Sequence, residues 1–62
     1  MSELARLRHR HNDLVDELIR WREEYEAAEP GERAELEDVI AETTAAVAEA
    51  EQTYWKEYER GR

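Results

Sequence analysis

Apolar side chains recur every three or four residues in the first half of the chain, and this spacing predicts a helix. Alternating steps of three and four place such residues on one side of an α-helix. The positions in this first stripe are Leu4, Leu7, His11, Leu14, Leu18, Trp21, Tyr25 and Ala28. A stripe of this length is typical of coiled-coil-like packing. We therefore expect helix 1 to span about residues 3–28.

A second stripe with the same spacing follows in the other half of the chain. Its positions are Leu36, Ile40, Thr43, Val47, Ala50 and Tyr54, and it ends near Tyr58. We expect helix 2 to span about residues 32–59. Four apolar residues lie beside the stripes and widen them: Val15 and Ile19 in helix 1, and Val39 and Ala46 in helix 2.

Pro30 and Gly31 interrupt the helical pattern near the middle of the chain. The residue before a proline is pushed away from helical geometry, so a turn is expected over about residues 29–31. A short turn makes two helices antiparallel neighbours. Residues 1–62 are therefore predicted to form one all-α domain, a two-helix antiparallel hairpin.

His11 occupies a stripe position where another leucine is expected. Antiparallel pairing about the turn brings it opposite Ala50, which leaves room for an imidazole ring. One polar residue in an apolar seam can fix the register or the oligomeric state, and this is our main interpretation. A pH-sensitive role is a second interpretation, because histidine titrates near neutrality. A metal-binding or catalytic role is a third.

The short length of the chain predicts a partner. Sixty-two residues bury little surface, and small domains are usually stabilised by disulfides, a metal or association. The absence of cysteine excludes disulfides and thiolate metal sites. The widened stripes exceed what one helix–helix interface covers, so we expect the hairpin to form a homodimeric four-helix bundle.

Charge is distributed unevenly along the chain, whose formal net charge is −8. Residues 1–22 carry five arginines and four acids, whereas residues 23–62 carry thirteen acids and four bases. Such an acidic protein repels nucleic acids and anionic membranes. No apolar run is long enough to span a membrane, and no signal-peptide pattern opens the chain. We expect a cytoplasmic protein.

The sequence contains few residues that could form a catalytic or metal-binding site. The one serine is Ser2, and no glycine-rich loop is present to hold a phosphate. His9 and Asp13 lie four residues apart, but a metal site needs three or four ligands and no further histidine or cysteine is available to join them. We therefore expect no catalytic residues, no metal and no cofactor.

Three arginines, Arg6, Arg8 and Arg10, form the one basic segment of helix 1. Charged residues beside a helical seam commonly pair across helices. Glu51, Glu57 or the acids of a partner chain are the expected recipients. Contact with nucleic acid is the alternative, although the net charge opposes it.

Three of the five aromatic residues, Tyr54, Trp55 and Tyr58, lie near the C-terminal end. Helical spacing brings their rings together. The cluster either caps the open end of the hairpin over Leu4 and Leu7 or anchors a partner, because Trp and Tyr dominate binding hot spots.

These patterns predict a small non-enzymatic interaction protein. The hairpin would associate with itself and bind another macromolecule, most simply a protein, as an adaptor, an inhibitor or an assembly component. Compact proteins of this kind are common products of phages and mobile elements. The alternative is a nucleic-acid-related role, either RNA binding through the arginine-rich end or DNA mimicry by the acidic helix 2.

Overall fold

Residues 2–61 are described by the computed structural model, and they form two α-helices. Helix α1 spans Glu3–Ala27 and helix α2 spans Pro30–Arg60, with no strand in this part of the chain. The helices contact each other along a hairpin that measures 48 × 17 × 12 Å. The predicted all-α hairpin is confirmed, and it is a single layer of two helices.

The turn between the helices is shorter and earlier than predicted. Ala28 and Glu29 both have extended backbone angles, and α2 begins at Pro30, two residues before the expected start. Proline suits the first helical position because its missing N–H would have had no partner there. Glu29 precedes the proline and is held extended by it. Gly31 therefore lies in the first turn of α2 and not in the connection.

Ser2 caps the start of α1, a feature that the apolar spacing did not reveal. Its side-chain oxygen accepts a hydrogen bond from the backbone N–H of Ala5 at 3.1 Å. The carbonyl of Ser2 also accepts from the N–H of Arg6 at 3.1 Å. A serine at this position satisfies one of the free donors at a helix N-terminus. The cap stabilises the open end of the hairpin.

Burial follows the predicted stripes. Every residue of the first stripe, from Leu4 to Ala28, is half-buried. Thr43 and Ala50 in α2 are the only buried residues among positions 2–61, with 6% and 7% of their surfaces exposed. The remaining α2 stripe residues are half-buried, apart from the exposed Tyr58. One helix–helix interface thus leaves most of the apolar side chains partly in contact with solvent.

Tyr25 fastens the two helices together next to the turn. Its hydroxyl donates a hydrogen bond to a carboxylate oxygen of Glu37 at 3.0 Å. The Nε of Arg33 donates to the backbone carbonyl of Tyr25 at 3.2 Å, and the guanidinium lies 5.3 Å from the centre of the ring. Both partners of Tyr25 belong to α2, so these contacts fix the register of the helices at the turn end.

We expect Tyr25→Phe to lower the thermal stability at neutral pH and to reduce its dependence on alkaline pH. The hydrogen bond to Glu37, followed by the repulsion of that carboxylate, raises the pKa of Tyr25. A group whose pKa is raised by folding stabilises the protein fully below its unfolded pKa, about 10 for tyrosine. That contribution is lost as the pH rises through the folded pKa. Melting curves of both proteins between pH 7 and pH 11 measure the difference.

If Tyr25→Phe and the original protein lose the same stability above pH 10, the hydrogen bond to Glu37 does not contribute in solution. Tyr54 and Tyr58 are present in both proteins, so the comparison isolates the contribution of Tyr25.

Candidate interaction surface

Tyr54, Trp55 and Tyr58 form a continuous aromatic cluster near the C-terminal end of α2. The Trp55 ring lies edge-on to both tyrosines, with centroids 5.4 Å from Tyr54 and 5.5 Å from Tyr58. The two tyrosine rings are stacked at 6.3 Å. Such geometries are favourable for aromatic pairs. The cluster is therefore ordered by its own contacts, although half of the surface of Trp55 is exposed.

A groove of about 260 Å³ connects the aromatic cluster to α1. We call it the histidine groove. Its six lining residues are Arg8, His11 and Asn12 of α1, and Glu51, Tyr54 and Trp55 of α2. Four of the six directly follow a stripe residue in the sequence. In an antiparallel hairpin, such positions turn to the same side on both helices.

A second groove of about 600 Å³ lies at the same end of the hairpin, on the opposite side. Its lining residues are Arg6, Leu7 and Arg10 of α1, and Glu49, Ala50 and Thr53 of α2. Four of these six directly precede a stripe residue, which turns them away from the histidine groove. At the open end of the hairpin, α1 and α2 therefore form two separate grooves, one on each side.

The three arginines of α1 do not form one basic patch. Arg8 lines the histidine groove, whereas Arg6 and Arg10 line the other one. Arg6 forms an ion pair with Glu3 of its own helix. Within residues 2–61, the expected ion pairs of Arg8 and Arg10 across the helices are not formed, and Glu57, the other end of one expected pair, binds Arg60 at 2.8 Å.

His11 is half-buried and lies beside Glu51 and Tyr54 in the histidine groove. Its predicted neighbour, Ala50, lines the opposite groove with Leu7. His11 thus shares its groove with Glu51, the residue that directly follows Ala50 in the sequence. An imidazole at this position is partly in contact with solvent, which reduces the cost of a polar group in the stripe.

We expect His11→Leu to stabilise the hairpin by about 1–2 kcal/mol, since a leucine gains more from partial burial than an imidazole. Chemical denaturation followed by circular dichroism measures the change. His9→Leu is the matched control: it makes the same change at an exposed position of α1 that lines neither groove, and it should change the stability less. If His11→Leu unfolds the protein, the imidazole takes part in a specific polar network and our interpretation is wrong.

One side of the hairpin carries the three large apolar side chains that are exposed among residues 2–61. Ile19 and Trp55 are each 50% exposed and Tyr58 is 38% exposed. Ile19 follows Leu18 in the sequence as Trp55 follows Tyr54, so both turn to the side of the histidine groove. We call this side the open face; it comprises the histidine groove and the apolar residues Val15, Ile19, Val47 and Tyr58.

The sequence identified the aromatic cluster but did not single out Ile19. The signal was available, because Ile19 directly follows a stripe residue on α1 as Trp55 does on α2. The two positions share one side because the helices are antiparallel, an arrangement that the short turn already predicts.

Within residues 2–61, no group of three or more histidine, aspartate or glutamate side chains is arranged to hold a metal ion. His9 and Asp13 are both exposed on α1. Over the same residues, neither helix contains a stretch apolar enough to cross a membrane. The surfaces available for recognition are the open face and the charged sides of the helices.

Comparison with family models, curated proteins and solved structures finds no significant match to this chain. The open face is therefore the feature of the molecule that indicates its function.

Proposed function

We propose that the protein is a small non-enzymatic interaction protein, a self-associating acidic hairpin that binds another protein as an adaptor, an inhibitor or an assembly component. The observation that carries this proposal is the open face, where Ile19, Trp55 and Tyr58 are exposed together. Exposed apolar side chains that gather on one side of a small protein mark an interaction site.

The energetics of the hairpin support a covering partner. Thr43 and Ala50 are the only buried residues in the described part of the chain, so the hairpin encloses little apolar surface by itself. Each square ångström of apolar surface removed from water contributes about 25 cal/mol. A partner that covers the half-buried stripe residues would thus increase the free energy of unfolding, to which a single helix–helix interface contributes little. A homodimeric four-helix bundle provides that cover with the simplest symmetry.

The aromatic cluster is the proposed contact for the other protein. Trp55 lies at the outer edge of the open face, where its ring is held by Tyr54 and Tyr58. A ring that is already ordered loses little conformational entropy on binding, which favours its use as an anchor. Arg8 borders the same groove and adds a charged group beside the rings.

A protein is a better partner than a nucleic acid for two reasons. The net charge is −8, and the three arginines of α1 are divided between two sides of the hairpin. Nucleic-acid affinity depends on several phosphate contacts made together. Binding to mixed-sequence RNA and DNA, titrated with salt, is expected to be negligible; salt-sensitive binding that Arg8→Glu abolishes would instead support the RNA-binding alternative.

Self-association is tested by sedimentation equilibrium and by melting at about 5 and about 100 µM protein, since the melting temperature of a dimer rises with concentration. A mass of twice 7.4 kDa is expected for the dimer. A folded species of 7.4 kDa with a melting temperature independent of concentration would contradict the proposal. The other protein that the dimer is proposed to bind is identified by capture from a lysate of the source cells with the immobilised dimer.

A further inference from the structure

We propose that a second copy of this chain binds the open face with its long axis reversed, so that the turn of each hairpin lies beside the open end of the other. This inference rests on the self-association proposed above and adds to it the face that is covered and the relative direction of the copies.

The hairpin exposes more surface than a compact monomer of its mass, and the excess is close to the area that each copy buries in a stable dimer. Its accessible surface is 5068 Å². A compact monomer of 7.4 kDa is expected to expose about 4,200 Å². The excess, roughly 900 Å², is close to the 800 Å² that each partner contributes to an interface of standard size. A second copy seated on the central part of the open face provides such an area and leaves the outer edge, where Trp55 lies, accessible.

The apolar residues of the open face lie where a symmetric partner needs them. Val15, Ile19 and Val47 are all near the middle of their helices. A two-fold axis through the middle of the face brings these residues against the same residues of the second copy. Trp55 lies towards the open end, at the edge of this central contact.

Charge determines the direction of the second copy. The half of the hairpin next to the turn, residues 15–46, carries eleven acids and three arginines. The half at the open end, residues 2–14 and 47–61, carries six acids and five bases. A parallel dimer would place the two strongly acidic halves side by side, whereas the reversed arrangement separates them and sets each beside a nearly neutral half.

Arg8 adds a local reason for the reversed arrangement. It lies on the open face at the open end and forms no ion pair within residues 2–61. In the reversed dimer it approaches the acidic turn half of the second copy, where Glu26 and Glu37 are exposed. The same contact is made twice because the interface is symmetric.

The covered face is tested with a pair of charge substitutions near the middle of the hairpin. Ile19→Glu adds a carboxylate to the open face, and Ala45→Glu adds one to the exposed outer side of α2. Sedimentation should show the dimer dissociation constant of Ile19→Glu raised by roughly 100-fold or more, because the charge is buried twice in a symmetric interface. Ala45→Glu should remain a dimer, and circular dichroism should show both variants helical.

The direction is tested with a spin label at the turn. Gly31→Cys is a suitable site because a side chain there meets no atom within 4 Å and the chain has no other cysteine. In the reversed dimer the two labels should lie near the 48 Å length of the hairpin apart. In a parallel dimer they should be separated by about two helix diameters, roughly 20 Å.

The outcomes separate the inference from the proposal on which it rests. A dimer with a short distance between the labels, or a dimer that Ile19→Glu leaves intact, overturns the inference alone. A monomeric original protein overturns both the self-association and the inference.

Discussion

Thr43→Asp is expected to unfold the hairpin. Thr43 is 6% exposed, and its hydroxyl is satisfied inside α2 by donating to the carbonyl of Val39 at 2.8 Å. A carboxylate at this position would lose its hydration without gaining a positive partner, which costs several kcal/mol. A domain of this length is stabilised by only roughly 3–9 kcal/mol. The loss of helicity, followed by circular dichroism, measures the effect.

Thr44→Asp is the matched control for this experiment. Thr44 is exposed, and its hydroxyl donates to the carbonyl of Ile40 at 2.7 Å, in the same manner as Thr43. The two variants therefore carry the same charge and lose the same kind of hydrogen bond. If they are equally stable, Thr43 is not buried in solution and α1 does not pack against this position.

The packing of the hairpin was predictable because a helix buries the side on which its apolar residues recur. The side of α1 that packs against α2 follows from this periodicity. Spacing could not predict that Thr43 and Ala50 would be the most buried, because depth depends on how closely the helices approach. Small side chains allow two helices to pack closely. The burial of Thr43 and Ala50 therefore depends on both helices together and not on the pattern of either one.

Contacts that depend on side-chain reach were not predictable from the pattern. Tyr25 belongs to the stripe, yet its hydroxyl donates a hydrogen bond to Glu37. The side chain of Arg33 donates a hydrogen bond to the backbone carbonyl of Tyr25. Ser2 precedes the first stripe residue and carries no apolar signal. The division of Arg6 and Arg8 between two grooves follows from helical geometry once the direction of α2 is known.

Trp55→Ala should weaken binding of the captured partner protein by about 2 kcal/mol or more, which is about 30-fold in the dissociation constant. Half of the Trp55 surface is already exposed, so the free hairpin has less to lose from truncation than a complex that buries the whole ring. Titration of the partner against the original protein and the variant measures the change. Circular dichroism and sedimentation should show nearly unchanged helicity and dimerisation.

Trp55→Tyr and Trp21→Phe complete this experiment. The first keeps an aromatic ring in contact with Tyr58 and should retain most of the affinity. The second changes the other tryptophan, which is half-buried and donates a hydrogen bond from its Nε1 to Glu17 at 3.3 Å. It should affect stability more than binding. If Trp55→Ala melts the hairpin, the ring caps the open end, and the partner site must be sought among the exposed acids of α2, such as Glu35 and Glu42.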